Sequence, residues 1–170
     1  MKKNNIISKL GFFFLFLSFL LFSACKNDNR DYVPYVEVDI ILDLQIDLAG
    51  LGNLDAATIT PNSLGLGELS FSSPKIPSIN LGQAVYGNGL ILYRISQYEF
   101  AAYDITCTYR ADIDYCALDM GTNWLIPKCP CCDSEFNLLL EGAPPMGPPA
   151  ALPLQQYNTF IRNNQLYIKN

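Results

Sequence analysis

The longest regular pattern in the chain runs from Val36 to Leu48, where apolar and polar side chains alternate. Val36, Val38, Ile40, Leu42, Leu44, Ile46 and Leu48 share one face, while Glu37, Asp39, Asp43, Gln45 and Asp47 take the other, with Ile41 the exception. Successive side chains of a strand point to opposite faces, so this period predicts one long half-buried strand with a solvated acidic face. Residues 49–77 are rich in Gly, Ser, Thr, Asn and Pro and predict loops, with one short strand at 68–72. Residues 83–86 and 90–95 flank Gly87-Asn88-Gly89, which supplies the positive φ angles of a hairpin turn. Further strands are predicted at 98–105, 123–128 and 134–139, and a last hairpin pairs 159–162 with 165–169 through Asn163-Asn164. Between them, Pro144, Pro145, Pro148, Pro149 and Pro153 fix φ and remove N–H donors, so this stretch predicts neither helix nor sheet. No 3.6-residue period occurs beyond the N-terminal segment. The expectation is an all-β fold of short antiparallel strands.

The N-terminal segment follows a different rule. Lys2, Lys3 and Lys9 precede a run of Phe and Leu from Gly11 to Phe22, broken only by Ser18. A dozen residues in helix reach about 18 Å, short of the roughly 30 Å hydrocarbon core, which is the length of a signal-peptide apolar region. The run ends in Phe22-Ser23-Ala24-Cys25, which resembles the lipobox of bacterial lipoproteins. That resemblance implies a signal peptide over 1–24 and a thiol at Cys25 that receives lipid. It also implies a tether over 25–33 and a position on the outer membrane or the periplasmic face of the inner membrane. Residues 34–170 then form the domain. Acyl chains contribute about 0.8 kcal/mol per buried CH₂, so two or more hold a protein stably at a membrane. Loss of the three signal lysines leaves 8 of 11 basic side chains against 16 acidic ones. That balance excludes nucleic acid as a partner, because phosphate binding needs clustered Lys and Arg.

Five cysteines follow Cys25, in a compartment that permits disulfides. Four of them fall in two stretches, Ala102-Tyr103-Asp104-Ile105-Thr106-Cys107-Thr108-Tyr109 and Lys128-Cys129-Pro130-Cys131-Cys132-Asp133-Ser134-Glu135-Phe136, and Cys116 lies between the two. Gly147-Pro148-Pro149-Ala150, with Leu154 and Tyr157, comes after. Together these resemble the Rieske [2Fe–2S] iron–sulfur family, whose loops read Cys-Thr-His-x-Gly-Cys and Cys-Pro-Cys-His-Gly-Ser-x-Phe, followed by a Gly-Pro-Ala loop. The resemblance covers roughly residues 83–169. It implies an antiparallel β-sandwich with two cysteine loops and a proline loop, and an electron-transfer role with a redox or envelope protein as partner.

Carried over residue by residue, Cys107 and Cys129 match the family's cysteine ligands, and Cys131 matches a disulfide cysteine with Cys116 as its displaced partner. Tyr109 and Cys132 stand at the histidine positions. A Rieske cluster needs two histidines, and this chain has none, so that ligation is excluded. Asp133 replaces a glycine, which predicts a reshaped turn.

The resemblance leaves Cys107, Cys129 and Cys132, with Tyr109, as a metal or iron–sulfur ligand set. Without neutral imidazoles, such a cluster would carry more negative charge and a lower potential. Three other readings stand beside it. Cys107, Cys116, Cys129 and Cys132 could hold zinc. Two disulfides could staple the loops of a cofactor-free interaction module. Cys129-Pro130-Cys131-Cys132 could be a redox-active motif, although the helix that lowers such a thiol's pKa is not predicted after it. Trp124 is expected to pack in the core beside the second loop. With no histidine-based triad and no phosphate loop, independent enzymatic turnover is not expected.

Overall fold

A computed structural model describes residues 33–170; the predicted signal segment and Cys25 lie outside the described residues. Eight strands form one antiparallel sheet: β1 (Asp39–Asp43), β2 (Asp55–Pro61), β3 (Leu66–Phe71), β4 (Ile79–Ala84), β5 (Leu90–Ser96), β6 (Glu99–Asp104), β7 (Gln156–Arg162) and β8 (Gln165–Lys169). Their spatial order is β1-β8-β7-β6-β5-β2-β3-β4. The all-β antiparallel expectation holds, with one helical turn, Ala111–Asp114, inside the first cysteine loop.

The sheet curls until its two edges meet. Gln83 of β4 accepts the Ile41 N–H of β1 at 2.9 Å and donates its amide to the Ile41 carbonyl at 2.7 Å. One side chain thus supplies the two bonds that a neighbouring strand would have made, and satisfies an edge that would otherwise invite foreign pairing. The curl encloses a core of Ile40, Leu42, Ala57, Ile59, Leu69, Leu90, Leu92 and Ile168, drawn from strands on both sides.

A second apolar cluster lies on the opposite face of β2, β5 and β6, where Ala56, Ile91, Tyr93, Ala101 and Tyr103 meet Cys107, Cys129, Phe136 and Leu138 from the long β6–β7 connection. These middle strands are therefore covered on both faces. That explains the unbroken apolar start of β5 and the full burial of Ala56 and Ala57, whose small side chains suit a crowded layer.

Four sequence expectations need correction. The strand predicted over 36–48 ends at Asp43, because that side chain accepts the N–H groups of Gln45 and Ile46 at 2.8 and 3.0 Å and starts a turn. Leu44 and Leu48 still enter the core, but Ile46 is exposed. Strand β2 arises where loops were predicted; β-branched Thr58, Ile59 and Thr60 fit a strand between β3 and β5. Gly87 and Gly89 do have positive φ, yet β4 pairs with β3 and β5 with β2 and β6, so the expected hairpin is a crossover. The strands predicted at 123–128 and 134–139 reduce to isolated bridges, Asp119 to Lys128, Lys128 to Glu135 and Phe136 to Pro145. The final hairpin forms as predicted, with Asn163 and Asn164 both at positive φ.

Candidate metal centre

Each cysteine loop is closed by its own backbone. In the first, Cys107 N–H donates to the Cys116 carbonyl at 2.8 Å, and Leu118 N–H to Ile105 at 2.8 Å. In the second, Cys129 N–H donates to Ser134 at 2.8 Å and Asp133 N–H to Cys129 at 2.9 Å. Asp133 adopts a left-handed backbone, φ 62°, that favours glycine, and its carboxylate pairs with Lys128 at 2.9 Å.

The crossover Gly87-Asn88-Gly89 fixes the first loop from outside, since the Asn88 amide donates to Thr106 Oγ1 and to the Tyr115 carbonyl, both at 3.0 Å. Gly89 is required there, because a Cβ would sit 2.3 Å from the Ile59 carbonyl oxygen. At the base of the same loop, buried Asp104 accepts the Thr106 N–H at 2.7 Å and the Tyr157 hydroxyl at 2.6 Å. The proline loop closes the top. Ala150 N–H donates to Ser134 Oγ at 3.0 Å, and the Thr108 hydroxyl donates to the Leu152 carbonyl at 2.8 Å.

This scaffold brings five sulfur atoms together. Cys116 and Cys131 form a disulfide with Cα atoms 6.4 Å apart, as the resemblance implied. Cys107, Cys129 and Cys132 are thiols whose sulfurs all lie within 4.8 Å of one another, with Cys107 and Cys132 at 3.6 Å. The four-thiol zinc arrangement is therefore overturned, because Cys116 is consumed in the disulfide. The two-disulfide arrangement is overturned too, since three cysteines stay reduced. No helix follows Cys132, so the thioredoxin-type reading lacks its dipole. Tyr109 packs half-buried against the same apolar cluster, and its backbone N–H serves the Cys107 sulfur. Trp124 packs there as expected.

The three thiols differ in character. Burial pushes the Cys107 and Cys129 thiols up. Burial also opposes ionisation of Cys132, but the Ser134 hydroxyl and N–H, with the neighbouring thiols, outweigh it and bring that thiol below its ordinary value. As a thiol, Cys132 donates its S–H to Ser134 Oγ at 3.2 Å; once it ionises, the hydroxyl proton can turn to the sulfur while Oγ still accepts from Ala150.

Ser134, Asn88 and the Asp104–Tyr157 pair are the contributors that sequence reasoning missed. Ser134 and Asp104 stood inside the quoted stretches and Tyr157 followed the proline loop, whereas Asn88 was read only as part of a turn.

A cluster of three thiols beside a disulfide lies on the outer face of a curled antiparallel sheet, in a small β protein. No family model and no curated protein matches the chain. Among solved structures, the chain is similar to the ferredoxin of carbazole 1,9a-dioxygenase from Nocardioides aromaticivorans IC177, at 15% identity and a TM-score of 0.40, covering 79% of this chain and 98% of that one. It is also similar to a chain in the complex of reduced oxygenase and oxidized ferredoxin in carbazole 1,9a-dioxygenase, at 13% identity and a TM-score of 0.39, covering 76% and 93%. At these values the likeness carries no weight.

Proposed function

We propose that this chain is a lipid-anchored envelope protein whose Rieske-like domain, over residues 34–170, holds one metal centre on Cys107, Cys129 and Cys132 and serves as an electron carrier. One observation carries the reading: three reduced thiols converge within 4.8 Å, two of them buried, beside a disulfide that has formed.

The donor set tests which group fits. A two-histidine [2Fe–2S] cluster does not, since histidine is missing from the whole sequence. A single thiolate-bound ion does. With metal–sulfur bonds of about 2.3 Å, the edge of a tetrahedron is about 3.8 Å, and the Cys107–Cys132 separation is 3.6 Å. All three sulfurs lie within 4.8 Å of one another. A bound cation also removes the cost of ionising two buried thiols, because a coordinating thiol is deprotonated outright. Tyr109 is the proposed fourth donor. Iron supplies the one-electron couple that an electron carrier needs, whereas zinc has none.

The chain's own residues then hold and cover the centre: Ser134 orients Cys132, Asn88 and Asp104 fix the first loop, and the proline loop excludes water. The test is elemental analysis of the chain purified from bacterial membranes. One iron per chain without acid-labile sulfide supports the single ion. Stoichiometric sulfide replaces it with an iron–sulfur cluster on the same cysteines, zinc makes the site structural, and no metal refutes the reading. Cys25→Ala is expected to move the protein out of the membrane fraction; unchanged membrane association would refute the anchor.

A further inference from the structure

Cys129 belongs to two sulfur groups at once. Its Sγ lies within 4.8 Å of those of Cys107 and Cys132, and within 4.8 Å of both sulfurs of the Cys116–Cys131 disulfide. The second group is no metal site while the disulfide stands, because bonded sulfurs carry no thiolate charge. It is a different chemical object: a thiol held against a disulfide. Thiol–disulfide exchange proceeds by attack of a thiolate on one sulfur of the bond with departure of the other, and access limits its rate. Here the fold holds the attacking sulfur within 4.8 Å of both sulfurs of the bond. Cys131, the exposed member, is the sulfur that can leave into water, and Cys116 is half-buried toward the loops.

We propose that Cys129 is an exchange-active sulfur: without bound metal it displaces Cys131 from Cys116, and a metal held at Cys107, Cys129 and Cys132 blocks that exchange. The blocking half rests on the metal reading above; the exchange half does not. In the exchange a Cys116–Cys129 bond forms, the Cys116–Cys131 bond breaks, and the electron pair goes to Cys131. Cys131 takes up the proton that Cys129 gave to solvent. Three thiols exist before and after, so no oxidant or reductant is consumed. The product leaves Cys107 and Cys132 with only two sulfurs to offer a metal and places a thiol at exposed Cys131. Because one sulfur cannot serve both partners, metal occupancy and disulfide position are linked, each opposing the other by the same factor.

The test is disulfide mapping of the full chain, stripped with EDTA or saturated with zinc(II), held in mildly alkaline buffer, then trapped with N-ethylmaleimide and digested without reduction. The expected result is time-dependent labelling of Cys131 together with a Cys116–Cys129 linkage in the stripped chain, and at least tenfold less in the zinc-loaded chain. Cys129→Ser is expected to abolish Cys131 labelling, and Cys107→Ser to retain it. Exclusive recovery of Cys116–Cys131 from the stripped wild-type chain overturns the proposal, whether or not the variants fold. Cys131 labelling that persists in folded Cys129→Ser also overturns it, since the bond then opens by another route. Exchange with no zinc bound sinks the metal reading and its blocking effect while the exchange stands. Zinc binding without exchange in the stripped chain does the reverse.

Discussion

Tyr157→Phe tests how the first cysteine loop is held. The hydroxyl donates to Asp104 Oδ2 at 2.6 Å, and Asp104 is almost fully buried, with Thr106 N–H at 2.7 Å as the donor to its other oxygen. Phenylalanine keeps the ring in the core and removes only that hydroxyl, leaving one carboxylate oxygen facing a dry interior. A hydrogen bond to a charged group contributes about 1.5–3 kcal/mol, so Tyr157→Phe should cost about that much and lower the urea midpoint with the slope unchanged. The fluorescence of Trp124, the single tryptophan, and far-UV circular dichroism should report the same transition.

The pH dependence supplies a second signature. Burial first, then the Asp104 carboxylate, raises Tyr157 above its ordinary value of 10.0. Above that value the unfolded chain loses the proton while the folded chain keeps it. Stability from this pair is therefore fully present below pH 10 and is lost as pH climbs toward the folded value. The phenylalanine variant should show a shallower alkaline decline. A loss under about 0.5 kcal/mol, or an alkaline limb identical to wild type, would refute the reasoning.

Other changes probe other parts. Cys116→Ser with Cys131→Ser opens a cross-link of sequence separation 15, which the chain-entropy model values at about 3 kcal/mol, to be read by urea unfolding under oxidising conditions. Gln83→Leu removes both bonds across the sheet seam, at about 1–2 kcal/mol, and should accelerate hydrogen exchange at the Ile41 amide more than at Leu92. Gly89→Ala meets the Ile59 carbonyl at 2.3 Å with φ at +97° and should cost at least about 2 kcal/mol by thermal unfolding, with Asn88 drawn away from the first loop.

Pattern along the chain was a good guide where one face decides a residue's fate. The β7–β8 hairpin, with Asn163-Asn164 at its turn, and strand β6 were visible because alternation and turn chemistry agree there. Strand β2 was invisible because it is buried on both faces: Ala56, Ala57 and Thr58 all point into packed layers, so no alternation survives. The seam was hidden because one glutamine amide makes it, and no period announces that. The long alternation over 36–48 misled because Asp43, placed on the polar face by spacing, spends its carboxylate on local N–H groups instead.

At the site, the two cysteine loops and the Cys116–Cys131 bond were legible through the motif resemblance. The same resemblance separated the three free thiols from that bond; spacing alone left other pairings open, since it cannot distinguish a bridged sulfur from a converging one. Asp104 belongs to the first cysteine stretch, but its supports Asn88 and Tyr157 come from segments remote in sequence, and only the folded sheet brings them to the loop.

X-ray absorption at the metal edge of the purified chain measures the convergence of sulfur atoms most directly. The account predicts three sulfur neighbours at about 2.3 Å with one lighter atom, falling to two sulfurs in Cys132→Ser. A coordination shell of nitrogen and oxygen alone, or three sulfurs that persist in Cys132→Ser, would contradict it.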